Sequence, residues 1–285
     1  MAEKRRIPES EAALVEAFCS IIERWNDRVA HAAADETSRD DWAKKKRKWV
    51  IYREACGWDL LLVEEGTGIQ LGIEAKLCLN TKVLSQALPH HHFFTPEAGP
   101  DYRAVLVPGG GRNLELRQIC DLIGLTVLSV YDRSPYCDQP DWGLHSPSQL
   151  PDEQEPDNFS MNGWHSWLPS EREKLPDYVP DVAAGVKSPI RLTEWKVRAI
   201  KLWVLLDRFG RVTRGDMKAL GLSPTRFTDR FNGFLTADPN VGGYVKHDGS
   251  PDFRKQHPRV YAEIETDFDK WCPAALRPGF AEALK

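Results

Sequence analysis

No apolar run in this 285-residue chain is long enough to cross a bilayer as a helix, which excludes a helical membrane-spanning class. The first residues, MAEKRRIPESEA, lack a signal-peptide core. A cytoplasmic protein with no membrane partner is therefore expected. CxxC pairs are also missing: Cys19, Cys56, Cys78, Cys120, Cys137 and Cys272 are scattered, which argues against a zinc ribbon and for thiols in a reducing compartment. Excess basic charge is lacking overall, since the formal net charge is −4. Its distribution is uneven, however. Residues 187–261 hold 15 Lys/Arg against 7 Asp/Glu, whereas residues 136–186 hold 2 against 10. Such asymmetry predicts a basic working surface preceded by an acidic spacer.

What is present reads as two cores. Leu14, Phe18, Ile21, Ile22 and Trp25 recur at helical spacing, predicting a helix over residues 9–25. Residues 35–48 are polar and predict an exposed helix or loop. Strands are expected at 49–52, 58–64, 69–77, 102–107 and 125–131, with helices at 81–88 and 114–123. This α-β-β-β-α-β-α-β order implies an α/β class, a mixed sheet with helices packed on it. The domain expectation is 1–134 for this part, 135–190 for a proline-rich acidic connector that is partly packed, and 191–285 for a second, mainly α domain.

The stretch GWDLLLVEEGTGIQLGIEAKL carries the chemistry. Its apolar runs flank a Gly-Thr-Gly turn, the signature of an antiparallel hairpin. A turn centred on Gly66-Thr67, or a four-residue loop from Glu65 to Gly68, makes paired numbers sum to 133 and sets Asp59 opposite Glu74. A three-residue loop would separate them. Alternation puts Lys76 on the same face as Glu74, and leaves Leu60, Leu62, Ile69, Leu71 and Ile73 for the core face. Facing carboxylates repel unless a cation or proton intervenes. Hard oxygen ligands suit Mg²⁺ or Mn²⁺.

Asp59 followed by Glu74-Ala75-Lys76 resembles the D…ExK signature of the PD-(D/E)xK, restriction-endonuclease-like nuclease superfamily, and the element order is similar to that superfamily's αβββαβ core. The resemblance covers roughly residues 9–131. It implies metal-dependent phosphodiester hydrolysis, with Asp59, Glu74 and the Ala75 carbonyl as metal ligands and Lys76 orienting water and offsetting transition-state charge. Lys76 is expected to have its pKa pushed down by the metal and by burial. The resemblance also implies an acid on the first helix, where Glu16 is the preferred match and Glu11 and Glu23 are alternatives, and it carries over Gln86 after the lysine strand. Trp58 stands where the motif has proline, and His90 where some members have tyrosine.

In the basic region, helices are expected from 193 to 209, ended by Gly210, and from 214 to 220, with a third N-capped by Ser223. Phe227, Phe231, Phe234 and Leu235 read as that third helix's buried stripe. Residues 244–246 and 259–261 read as a β-wing, completing a winged helix-turn-helix pattern. Thr225, Arg226, Arg230 and Asn232 would face the groove of double-stranded DNA, and Arg254, Lys255 and Arg259 its phosphates. A protein-interaction module is the competing reading of that domain.

His90-His91-His92 reads as a loop rather than a metal site, Gly109-Gly110-Gly111 as a strand-to-helix turn, and residues 44–48 as a solvated basic face. Together these features predict a Mg²⁺-dependent DNA endonuclease, with restriction, phage defence or repair as its settings. Double-strand cleavage by a one-site protein would suit a homodimer. The alternative is a catalytically silent DNA-binding regulator that uses the nuclease-like domain as scaffold or sensor.

Overall fold

The computed structural model describes residues 6–35, 37–88, 98–110, 113–134, 137, 139–145, 150–151, 164–180 and 192–272, so the His90-His91-His92 loop lies outside the described residues. The chain forms two compact units, Met1–Leu175 with Ala183–Val186, and Pro176–Val182 with Lys187–Lys285.

In the first unit Ser10 caps α1 (Glu11–Ala34) by accepting the Ala13 amide, satisfying a donor the helix cannot satisfy itself. A one-turn helix α2 (Asp41–Lys44) follows, and then β1 (Trp49–Ala55), β2 (Trp58–Glu64) and β3 (Gln70–Ala75). Cys56 and Gly57, both at positive φ, turn β1 into β2. After β3 come α3 (Thr81–Ala87), β4 (Tyr102–Pro108), α4 (Leu114–Leu122), β5 (Thr126–Asp132) and the short β6 (Trp142–Leu144). Strands β1 to β6 lie side by side in chain order as one mixed sheet: β1, β2 and β3 run antiparallel, β3, β4 and β5 parallel, and β6 antiparallel to β5. The expected α/β class with a mixed sheet is what the chain forms. Two elements extend the sequence reading: α1 runs on to Ala34, and β6 adds a sixth strand.

Both faces of the sheet are covered. Leu14, Phe18 and Ile22 of α1 pack on Leu60, Leu62, Leu71, Ile73 and Leu106. On the other side Val83, Leu84 and Ala87 of α3 and Cys120 of α4 cover Leu61, Val63, Val105 and Val107. A single core face was expected. Parallel pairing changes this, because each crossover helix must lie over the sheet and bury the strand residues beneath it. Gly72 leaves no room for a side chain, since a Cβ there would meet the Trp58 ring at 2.6 Å and Pro100 at 2.8 Å. Trp58 thus folds across β3 beside Asp59.

The part of the connector from Trp164 to Leu175 belongs to this first unit. Trp164 meets Tyr102 edge-on at 6.0 Å, Arg172 pairs with Asp101 at 2.8 Å, and the Gln70 side chain donates to the Glu173 carbonyl and accepts its amide.

The second unit begins with α5 (Glu194–Phe209), closed by Gly210 at φ 74. Then follow α6 (Arg214–Ala219), α7 (Pro224–Thr228), the hairpin β7 (Leu235–Asp238) and β8 (Gly243–Lys246), and three helices, α8 (Phe253–Gln256), α9 (Pro258–Thr266) and α10 (Phe268–Trp271). Between α5 and α6, Val212 exchanges two backbone hydrogen bonds with Tyr244 of β8. The order is thus helix, bridge, two helices, hairpin, around a core that includes Trp203, Phe227, Phe253 and Tyr261.

Three expectations fail here. The third helix stops at Thr228, and Ser223 makes no side-chain cap bond. The Asp229 carboxylate instead accepts the amides of Phe231 and Asn232, bending the chain, so that Phe231 is 87% exposed and Leu235 enters a strand. Residues 259–261 are helical rather than a wing strand, because Pro258 starts α9 and Val260, Tyr261 and Ile264 form its buried stripe. The partner of β8 is β7.

Candidate active site

Every paired position from Leu60↔Ile73 to Val63↔Gln70 sums to 133, and the four-residue loop from Glu65 to Gly68 closes the hairpin. Pairing stops short of Asp59 and Glu74. At that level the Asp59 Oδ2 accepts the Ala75 amide at 2.8 Å, so a side chain takes the place of a strand carbonyl. The two strands part, and their acids stand at the opening.

Lys76, the next residue, continues the β4 ladder through its amide, which donates to the Leu106 carbonyl at 3.0 Å. Its ammonium group donates to the Ala75 carbonyl at 2.9 Å and to Glu11 Oε2 at 3.2 Å, and lies 3.6 Å from Asp59 Oδ2. Asp59, Glu74, Ala75, Lys76 and Glu11 therefore converge at one end of the sheet.

Glu16, the preferred first-helix acid, is elsewhere: both of its oxygens accept from the Arg53 guanidinium of β1. Glu11, in the first turn of α1, is the helix acid that reaches Lys76. Gln86 lies on the exposed side of α3, and among the described residues no hydrogen bond joins it to Asp59, Glu74 or Lys76. Glu54 was not singled out from sequence. The β1–β2 register pairs Arg53 with Leu60 and Ala55 with Trp58, which sets Glu54 level with Asp59, and Glu54 adds to the negative potential on Glu74. The Cys-Gly turn at 56–57 was the available signal.

Glu74 is 5% exposed. Burial, and then the Asp59 carboxylate, push its pKa up from 4.5 to about 7, with only partial relief from Lys76. Burial alone would lower the Lys76 pKa, but Asp59, Glu11 and Glu74 outweigh it and hold it above the ordinary lysine value. The lowering expected beside a metal is thus not the direction in the protein alone, where the surrounding charges are acids.

Among the described residues no group of three or more His, Cys, Asp or Glu side chains is arranged to hold a metal ion. The donor chemistry nonetheless fits a hard divalent cation. Two carboxylates adjoin one backbone carbonyl, and a carbonyl that accepts from Lys76 keeps a second lone pair.

In the second unit Thr225, Arg226, Arg230 and Asn232 are all exposed on α7 and the turn after it. The Arg226 guanidinium sits 4.2 Å from the Trp195 ring centre. The three cations assigned to a wing are on helices instead. Arg254 lies within 3.6 Å of Asp207 and 3.3 Å of Glu265, and Arg259 lies 3.6 Å from Glu263 and donates to the Val179 carbonyl. Lys255 is exposed on α8.

Neither a protein-family model, nor a curated protein, nor a solved structure matches the chain. No helix among the described residues is long and apolar enough to cross a membrane.

Proposed function

We propose that the chain is a metal-dependent DNA endonuclease of the restriction-endonuclease-like kind, brought to duplex DNA by its basic second unit. The convergence of Asp59, Glu74 and Lys76 where β2 and β3 part carries this reading. The α-β-β-β-α-β order supports the fold, and the helix–bridge–helix–helix–hairpin order of the second unit supports a winged-helix reading.

Asp59, Glu74 and the Ala75 carbonyl would hold Mg²⁺ or Mn²⁺, which when bound supplies Lewis-acid polarisation of the scissile phosphate and a lowered pKa for bound water. The chain's own contributions follow from its geometry. Glu74 would have to be ionised to hold a cation, so occupancy would rise with pH. Asp59 is held in place by the Ala75 amide. Lys76, steadied by Glu11 and the Ala75 carbonyl, presents a fixed positive charge where the phosphate becomes more negative.

A second reading, a DNA-binding regulator with a silent nuclease-like unit, is favoured by one observation: Lys76 is already engaged by Glu11, Asp59 and Ala75. Incubation of plasmid and linear DNA with Mg²⁺ or Mn²⁺ separates the two. The nuclease reading expects metal-dependent cutting that Glu74→Ala and Lys76→Ala abolish. Cutting that survives both substitutions sinks the mechanism, and binding without cutting favours the regulator.

A further inference from the structure

A second concave site lies in the first unit, away from the acids. Between the C-terminal half of α1 and the β5–β6 edge is a cavity of about 680 Å³, within the range of small-molecule sites. Arg24 is 13 residues beyond Glu11 on α1, which places the cavity roughly 20 Å along the helix from the Lys76 corner.

Its lining combines two chemistries. Arg24, Arg28 and Arg133 line it together with Trp25, Trp42 and Trp142, and among the described residues no acid is in the lining. Asp141 lies 3.7 Å from Arg24 and 2.8 Å from Arg133, and Asp40 pairs with Arg28. Asp132 is near as well, since its Oδ1 accepts the Asp141 amide. Among the described residues it is the guanidinium groups, and not these carboxylates, that line the cavity.

The walls are held in place. Trp25 donates to the Arg47 carbonyl at 3.1 Å and meets Trp42 edge-on at 4.8 Å, and Trp42 carries the Arg28 guanidinium 4.5 Å from its ring centre. Arg24 donates to the Trp142 carbonyl. Gly143 admits the Arg133 stem, for a Cβ there would meet Arg133 Cδ at 2.8 Å. Each arginine remains about half exposed and can turn one edge of its fork to a ligand.

We infer that this cavity binds a nucleobase bearing a phosphate. Indole faces stack on bases of any sequence, and planar guanidinium forks match phosphate oxygens two at a time. The cavity is separate from the acid–lysine site, and the inference does not depend on that site's cutting DNA.

Titration calorimetry on the full chain tests it, with 5′-AMP, 5′-UMP, adenosine, inorganic phosphate and a single-stranded oligonucleotide with and without a 5′-phosphate. Both mononucleotides are expected to bind, and removing either the phosphate or the base weakens binding by about tenfold or more. Tighter binding of the 5′-phosphorylated strand than of 5′-AMP identifies a nucleic-acid end as the source, and the reverse order identifies a free nucleotide. Arg133→Ala and Trp142→Ala are each expected to weaken binding by about tenfold, and Arg133→Lys, which keeps the charge but loses the fork, by less. Thermal melts of each variant show that it is folded. The inference is overturned by no binding at millimolar nucleotide, by adenosine or phosphate binding as tightly as 5′-AMP, or by folded Arg133 and Trp142 variants that bind normally.

Discussion

One carboxylate in each unit sits among charges and cations, and the two titrate in opposite directions. Burial raises the pKa of Glu74, Asp59 raises it further, and it reaches about 7. Burial also acts to raise Asp207 of α5, but hydrogen bonds from Lys246 and Tyr261 and the nearby Arg254 carry it below its ordinary value. The Tyr261 hydroxyl donates to Asp207 Oδ2 at 2.6 Å. The difference lies in both burial and partners: Glu74 is buried beside a like charge, whereas Asp207 keeps about 32% of its side chain in water and has Lys246, Tyr261 and Arg254 around it. An acid whose bonds are met fastens α5 to α9 and β8, whereas an acid left protonatable in a packed sheet is where an added cation gains most.

The largest expected effect of that difference is on cleavage. Glu74→Ala should lower metal-dependent DNA cutting by about a hundredfold or more, while Asp207→Asn changes it by less than about twofold. Equal losses would break the comparison.

Next in size is the pH dependence of stability. The folded state holds the Glu74 proton up to about pH 7, while the unfolded chain releases it near 4.5. Stability is therefore favoured below 4.5 and lost as pH rises towards 7, at a cost on the order of 3 kcal/mol when complete. Glu74→Gln removes that cost and should stabilise the protein at pH 8 by about 1–3 kcal/mol, with no gain at pH 4. Asp207 behaves in the opposite sense. Its lowered pKa contributes stability above the unfolded value of 3.8 that is lost as pH falls through the folded value, so Asp207→Asn should destabilise at pH 7, by less than a buried pair would because solvent screens the side chain. Urea unfolding at the two pH values measures both.

Metal linkage follows. Mg²⁺ at about a hundred times its dissociation constant should stabilise the folded chain by roughly 2.7 kcal/mol, visible as a higher melting temperature. Asp59→Ala should abolish that shift, and Asp207→Asn should leave it intact. A magnesium shift that persists in Asp59→Ala would move the cation to another site.

How much of this was legible in the residues differs between the units for a physical reason. The β2–β3 register was readable from the turn, because a loop of two or four residues around Gly66-Thr67 makes paired numbers sum to 133; alternation alone could not fix it, since both faces of β2 are buried. Which helix acid reaches the site was not, because Glu11, Glu16 and Glu23 share one helix and the choice depends on Arg53 of a different strand. In the second unit, Phe227, Phe231 and Phe234 fit a helical stripe by spacing, but the Asp229 side chain captures two amides and ends the pattern. Arg259-Val260-Tyr261 looked extended when read as three residues. Pro258 and the spacing from Val260 and Tyr261 to Ile264 carried the helix signal.

The smallest expected effect concerns the basic charge that the sequence places in the second unit. Arg254 is committed to Asp207 and Glu265, and Arg259 to Glu263 and the Val179 carbonyl, so neither is available to a phosphate without giving up a protein partner. Arg230 is exposed beside Phe231 on the turn after α7, and Arg226 is exposed with its guanidinium 4.2 Å from the Trp195 ring centre. If α7 and its turn meet duplex DNA, Arg226→Ala and Arg230→Ala should each weaken binding by about 1–2 kcal/mol and reduce the salt dependence by about one counterion. Arg254→Ala should change affinity by less than about twofold, since the charge it removes is already neutralised within the protein. Fluorescence anisotropy over a salt series resolves these differences. Equal weakening by Arg230→Ala and Arg254→Ala would mean that the unit attracts DNA through a diffuse positive field rather than a defined face, and the contrast between satisfied and unsatisfied charge would then hold for the acids alone.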